Sequence, residues 1–272
     1  MRRTVRKEIG CAMKLEVLVS AVEKNAAALI SQMHIATDAV LVNQCDRYEY
    51  ETVAVQGGSV KCFSMPERGV GLSRNTALLH ASGDVVLFSD EDIRLSRDYA
   101  EKISRAYASL PDADLILFNV EVAPSRRTYW NREIRRITYR NYGRYPAYSI
   151  SGRLDALRRV NVQYSLLFGG GAKYSNGEDS LFLKDCLKYG LVVYAVPVEI
   201  GEEQERESTW FEGYTDKFFI DRGVLYHFLY GGLAYLMAVR FILAHEKVMC
   251  VTIPRKNALE LMKKGIKSVE GL

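Results

Sequence analysis

Three acidic residues in a row, Asp90-Glu91-Asp92, follow directly on the apolar run DVVLFS at 84–89. Side chains alternate along a strand, so an extended chain turns Asp90 and Asp92 to the same side. Two carboxylates converging at the carboxyl end of a strand suit a hard divalent cation, Mg²⁺ or Mn²⁺, which takes oxygen ligands and shares them with substrate phosphates. A solvated acidic turn accounts for the same residues equally well, since acidic turns after strands are common. A second acidic pair, Glu178-Asp179, follows Gly177 and opens a stretch carrying Leu181, Leu183 and Leu187. The helix macrodipole favours carboxylates at a helix start, so on residue types alone N-terminal capping is the simpler account. The run Gly169-Gly170-Gly171 lies just upstream. It permits close approach of backbone to a ligand, or simply a mobile loop.

Short apolar runs at 15–20, 39–43, 60–64, 84–89 and 115–120 read as strands. Between them, 26–33, 71–81 and 99–110 read as helices, followed later by a helix over 179–189 and a strand over 192–196. That alternation predicts an α/β chain with a mostly parallel sheet covered on both faces. Such sheets bind ligands at the carboxyl ends of their strands, which is where the acidic triplet falls. A length of 272 residues suffices for one large α/β domain or two closely joined lobes.

The run ERGVGLSRNTA at 67–77, then Ala81-Ser82-Gly83-Asp84, the strand and Asp90-Glu91-Asp92 resemble the family 2 glycosyltransferases of the GT-A fold. In that family a glycine-rich turn leads into a helix beginning Ser-Arg-Asn, then a small-residue, glycine, acidic turn, a strand and an Asp-x-Asp motif. Order and spacing match over 68–92, and a weaker resemblance extends from 15 to about 189. The resemblance implies a Rossmann-like α/β/α sandwich, with a donor half at 13–120 and an acceptor half at 121–272 that ends in a helical extension. It implies an inverting transfer of one sugar from a nucleotide-sugar, a UDP-sugar foremost, to a hydroxyl of a glycan or lipid-linked acceptor in surface polysaccharide assembly. Asp90 and Asp92 would hold Mn²⁺ or Mg²⁺. Ser20, Asn43, Arg74, Asp90 and Glu91 would contact the donor. Asp179 would be the base, with Glu178 positioning the acceptor. His227 falls where some GT-A enzymes supply an extra metal contact, although a histidine among apolar residues is more often a core group. The chain departs from the family at SAVEKN (20–25), which offers no aromatic to stack on a base, and at Asn43-Gln44-Cys45-Asp46, where acids are usual. Asn43 can still pair with a base edge, because an amide both donates and accepts. The Gln-x-x-Arg-Trp motif of processive members is absent, Trp210 being preceded by Ser208-Thr209. Single addition is expected, with 208–221 as an acceptor-side loop.

Composition narrows the alternatives. A formal net charge of +4 is too small to make nucleic acid the expected partner. The charge is uneven, however. Arg126, Arg127, Arg132, Arg135, Arg136, Arg140, Arg144, Arg153, Arg158 and Arg159 face only Glu133 and Asp155, and six aromatics interleave with them. A solvated helix face, a patch for anionic lipid or a lipid-diphosphate acceptor, and a nucleic-acid surface all fit. Acceptor or membrane-surface contact is the favoured reading. The five cysteines are odd in number and form no Cys-x-x-Cys pair, which points to a reducing cytosol. The expected place is cytoplasmic, peripheral at the inner face of the cell membrane. Residues 1–10 are basic without an apolar signal core behind them, and Met13 is an alternative start. The stretch 224–239 is nearly all apolar but shorter than the roughly 20 residues a bilayer span needs, and reads as a buried or membrane-surface helix. Two rivals remain. A nucleotidyltransferase would carry a glycine-rich phosphate loop after its first strand, which 20–25 lacks. A non-catalytic module would hold anionic lipid or nucleic acid through the arginines.

Overall fold

β1 (Leu15–Val22) is buried along almost its whole length, the pattern of a strand covered on both faces. The computed structural model describes residues 13–204 and 213–270. After β1 come α1 (Ala26–Gln32), β2 (Asp38–Gln44), β3 (Glu49–Val55), β4 (Gly58–Met65) and α2 (Val70–His80). Next are β5 (Val85–Asp90), β6 (Ile93–Leu95), α3 (Tyr99–Ser109) and β7 (Leu115–Glu121). The second half supplies β8 (Arg135–Arg136), β9 (Ile150–Arg153), α4 (Leu154–Val160), α5 (Glu178–Lys188) and β10 (Val193–Glu203). Three helices close the chain: α6 (Asp216–Tyr230), α7 (Ala234–Met249) and α8 (Arg255–Lys267).

All the strands share one sheet, ordered β3-β4-β2-β1-β5-β9-β7-β10-β6, with β8 beside β10. The pairs β1–β2, β1–β5, β2–β4 and β7–β10 are parallel. The antiparallel members are β3 at one edge, β6 and β8 on β10, and β9 between β5 and β7. The mixed α/β fold with a mostly parallel centre is the one the alternating pattern predicts. β9 was not foreseen; it runs Ile-Ser-Gly-Arg, too short and too polar to register as a strand. Through it the second half enters the middle of the sheet.

Alternation along β1 divides the interior. Val17 and Val19 pack into one apolar cluster with Leu29 and Ile30 of α1 and Ile103 of α3. Leu18 points the other way, into a cluster with Ala77 of α2, Phe182 of α5 and the C-terminal helices. Glu16, on β1 and 1% exposed, accepts from the amides of Ser82 and Gly83 and so pins the turn that delivers the chain into β5.

The apolar stretch at 224–239 is not one helix. It is split by the turn at Gly231–Leu233 between the end of α6 and the start of α7. α6 and α8 meet so closely that a β-carbon on Gly223 would lie 2.0 Å from the Met262 carbonyl oxygen. One on Gly265 would lie 2.0 Å from the Ile220 carbonyl oxygen. A helical glycine-to-alanine change ordinarily stabilises by about 0.5–1 kcal/mol. Gly265→Ala is expected to reverse that sign and cost about 1–3 kcal/mol through overpacking, as read by urea denaturation. A stabilised variant would show that the two helices do not pack at this distance.

Candidate active site

The carboxyl ends of β1, β2 and β5 and the first turns of α2 and α5 surround one cleft, open to solvent, whose wall includes Ser20, Gln44, Arg74, Asp90, Asp92 and Glu178. Three consecutive residues of α2 assemble it. Successive helical residues point in different directions, so one turn can reach three neighbours. Ser73 donates its hydroxyl to Ser20 Oγ at 3.0 Å on β1. Asn75 exchanges two hydrogen bonds with the main chain of Tyr164, at 2.9 and 2.8 Å. Arg74, between them, is 3% exposed and sends its guanidinium inward. Its Nη2 donates to Asp90 Oδ1 at 2.8 Å, and its Nη1 to Glu178 Oε1 at 3.0 Å and Asp179 Oδ1 at 3.1 Å. One fork thereby joins three carboxylates from β5 and α5, which an ammonium group cannot do with the same planar geometry. Below it lies the ring of Tyr164, 5.1 Å from Cζ and stacked on Phe182 at 4.2 Å.

Gly177 lets α5 begin here. Its φ of +115° belongs to glycine, and a β-carbon would meet Leu225 Cδ2 at 2.4 Å. Glu178 and Asp179 thus form the first turn of α5, facing Arg74. The electrostatics are unbalanced, with three carboxylates around one cation. Burial, then the neighbouring Glu178 carboxylate, pushes the pKa of Asp179 well above the usual carboxylate range; Arg74 offsets part of this and Asp90 adds to it.

The acidic triplet does not stay extended. β5 ends at Asp90, and the chain turns at Glu91 and Asp92. Strand alternation therefore does not set the relation of Asp90 to Asp92, although both reach the cleft. Glu91 accepts from the Val22 amide at 2.7 Å and lies 3.7 Å from Lys24 Nζ, tying down the end of β1. Ser20, Arg74, Asp90, Glu91, Asp92 and Glu178 line the cleft, and Asp179 joins them through Arg74. Two expected residues are elsewhere. Asn43 is not on the cleft wall and spends its amide on the main chain of Lys24, accepting at 3.0 Å and donating at 2.8 Å. His227 lies on α6, edge-on to Phe228, and does not reach the cleft.

Gln44, Arg126, Tyr148 and Glu203 were missed. Gln44 accepts from the Gly69 amide at 2.7 Å, at the N-terminus of α2. It is the neighbour of Asn43, so alternation along β2 puts the two on opposite faces. Arg126 and Glu203 pair at 2.9 Å. Most of the other clustered arginines are also engaged, Arg127 with Glu121, Arg135 with Glu133, Arg159 with Asp114, and Arg158 with the Ala81 carbonyl. They lie on loops, short strands and α4, and not on one long helix face. The stretch 208–212, part of the expected acceptor-side loop, lies outside the described residues.

Among the described residues no three His, Cys, Asp or Glu side chains gather closely enough to hold a metal ion by themselves. The wall chemistry still fits a hard cation completed by substrate oxygens. The carboxylates Asp90, Glu91, Asp92, Glu178 and Glu203 on the wall outnumber the cations Arg74 and Arg126 there and Lys24 beside Glu91, leaving oxygen ligands with an excess of negative charge.

Comparison with known proteins agrees with this fold. The model for "Glycosyl transferase family 2" matches residues 14–163, more than half of the chain. The chain belongs to that family. Among solved structures, S. aureus TarS 1–349 in complex with UDP-GlcNAc is similar, with a TM-score of 0.60 at 15% identity over 88% of this chain and 74% of that one. A second crystal structure of TarS 1–349 gives 0.60 at 14% identity over 93% and 81%. TarS 1–349 in complex with UDP gives 0.57 at 15% identity over 88% and 74%. At that identity the likeness establishes the GT-A fold. No curated protein sequence matches the chain.

The clamp of this glycosyltransferase makes two predictions. Arg74→Ala strands three carboxylates, and is expected to cost about 3–5 kcal/mol at neutral pH in urea denaturation. An unchanged midpoint would show that the clamp is not formed. Burial and Glu178 raise the pKa of Asp179 above its unfolded value, so between the two values the folded state binds the proton more tightly. The contribution of Asp179 to stability is full below the unfolded value of about 4 and is lost as pH rises through the raised folded value. The melting temperature should therefore fall over that interval in the native protein and fall less in Asp179→Asn. Parallel curves would place the Asp179 pKa in the ordinary range.

Proposed function

We propose that this glycosyltransferase moves one sugar from a nucleoside-diphosphate sugar to an acceptor hydroxyl with inversion, and that Asp179 takes the hydroxyl proton. The reading rests on a carboxylate, 23% exposed and held by Arg74 beside the cleft, whose proton affinity is raised by burial and by Glu178. A general base works best with its pKa near the working pH, and burial among like charges moves Asp179 that way. In the single displacement the acceptor oxygen bonds the anomeric carbon as its proton passes to Asp179. The bond from that carbon to the diphosphate oxygen breaks, and nucleoside diphosphate leaves. Glu178 positions the acceptor side. Ser20, Gln44 and the first turn of α2 face the donor, where helix amides favour phosphate.

Asp92 and Asp90 would hold a divalent cation, Mn²⁺ or Mg²⁺. When bound, it supplies countercharge for the leaving diphosphate. The excess of carboxylates on the wall supports this reading, since an anionic donor entering that wall alone meets repulsion. UDP-GlcNAc and UDP bound by the similar TarS support a uridine nucleotide as donor. We assign the acceptor to a glycan or lipid-linked glycan of surface polysaccharide assembly, following the common use of the family.

Asp179→Asn is expected to lower sugar transfer from UDP-sugars by about 10²- to 10⁴-fold while UDP binding by calorimetry stays intact. In the native enzyme the acidic limb of the pH–rate profile should sit above the usual carboxylate range. Full turnover in the variant would remove Asp179 from the chemistry. UDP binding with no transfer to any hydroxyl acceptor would instead count against the acceptor assignment.

A further inference from the structure

Apolar side chains are concentrated on the outside of α7. Leu233, Tyr235, Leu236, Leu243, Val248 and Val251 are all exposed, Leu236 by 63% and Leu243 by 60%. The opposite stripe of the helix, Ala234, Ala238 and Ile242, is buried in the core shared with α6 and α8. The outward stripe follows helical spacing, with Leu236, Arg240, Leu243 and Lys247 in one line. It is therefore apolar with two cations set in it. The one acidic residue between 231 and 251 is Glu246, whose side chain is 42% exposed and lies 3.4 Å from Arg255. Lys263 of α8 extends the basic border, its Nζ 5.8 Å from the ring of Tyr235.

The stretch Asp216–Met249 has the length and hydropathy of a membrane span. Its geometry is not that of one. It is interrupted at Gly231, and α6 buries Phe219, Val224 and Leu225 in the protein core. Only the α7 part turns apolar side chains outward. An apolar stripe bordered mainly by lysine and arginine, its nearby acids Glu246 and Glu260 lying beside Arg255 and Lys263, is the pattern of a helix lying in the interfacial plane of a bilayer. Arginine and lysine within the stripe reach head-group phosphates while their stems stay among the chains. A second copy of this chain fits less well. Two such faces brought together about a two-fold axis would set Arg240 and Lys247 against the same cations of the other copy, the nearby carboxylates Glu246 and Glu260 already lying beside Arg255 and Lys263.

We propose that α7 docks this glycosyltransferase on an anionic lipid surface, with Leu236 and Leu243 inserted and Arg240, Lys247 and Lys263 on the lipid phosphates. This surface shares no residue with the arginine-rich segment 126–159, where Arg126, Arg127, Arg135 and Arg159 pair with carboxylates.

Vesicle flotation of the full chain tests it. The native protein is expected to float with vesicles of equal parts phosphatidylcholine and phosphatidylglycerol and to stay behind with phosphatidylcholine alone. Leu236→Glu with Leu243→Glu should abolish flotation at an unchanged melting temperature, both sites being exposed. Arg240→Ala with Lys247→Ala should weaken binding by about fivefold per cation removed. Native protein that ignores the anionic vesicles overturns the proposal, as does a Leu-to-Glu variant that floats like the native protein. A native dimer that the Leu-to-Glu pair splits, with no vesicle binding, would assign the face to a second copy.

Discussion

The site depends on one guanidinium. Arg74 is buried, and it is the shared partner of Asp90, Glu178 and Asp179, two of which come from a helix more than 100 residues away in sequence. Without it, those carboxylates would repel one another in a place with little water. With it, they are still in excess. Burying charge this way is a poor means of stabilising a fold, because desolvation consumes most of what the ion pairs return. Nε of Arg74 is even left without a hydrogen-bond partner. What the arrangement secures is position: β5, α2 and α5 must meet at fixed distances for the fork to close.

That requirement explains why Ser73-Arg74-Asn75 is compact in sequence. Ser73 fixes α2 to the end of β1, and Asn75 fixes it to the segment that carries Tyr164. Tyr164 in turn stacks on Phe182 of α5, the helix whose first turn holds Glu178 and Asp179. The apolar contact and the ion pairs therefore constrain the same helix from two sides. A shift of α5 would have to break both, so packing and electrostatics enforce a single geometry.

The central strands were legible in the sequence because burial on both faces demands an unbroken apolar run, as in β1, β5 and β7. Edge and inserted strands escaped. β3 carries Glu-Tyr-Glu-Thr with its side chains mostly exposed, and β9 is four residues long. The same division holds in the site. Arg74, Asp90 and Glu178 could be placed because a helix turn and a strand end fix them locally. Gln44 and not the expected Asn43 lies on the cleft wall, because in a strand one residue exchanges the two faces. Arg126 and Glu203 meet across the cleft from loop and strand positions 77 residues apart, which no local pattern encodes. The arginines at 126–159 are mostly exposed, as a surface patch requires, but several also pair with acids such as Glu121 and Asp114 from neighbouring parts of the fold, which no local pattern encodes.

Of the three carboxylates on Arg74, geometry separates their uses. Asp90 has Nη2 to itself and stands at the end of β5, next to the turn that carries Glu91 and Asp92. Glu178 and Asp179 share Nη1, so neither receives a full countercharge. The side chain of Glu178 is the more enclosed of the two, at 10% exposure against 23% for Asp179. A group that exchanges a proton with an incoming hydroxyl must be both reachable and reluctant to stay ionised. Asp179 meets both conditions of the proposed base role, the first through its exposure and the second through burial beside the Glu178 carboxylate, which Arg74 offsets only in part. The guanidinium that holds the cluster together thus leaves it short of countercharge, because a single charge divided among three carboxylates cannot satisfy them all.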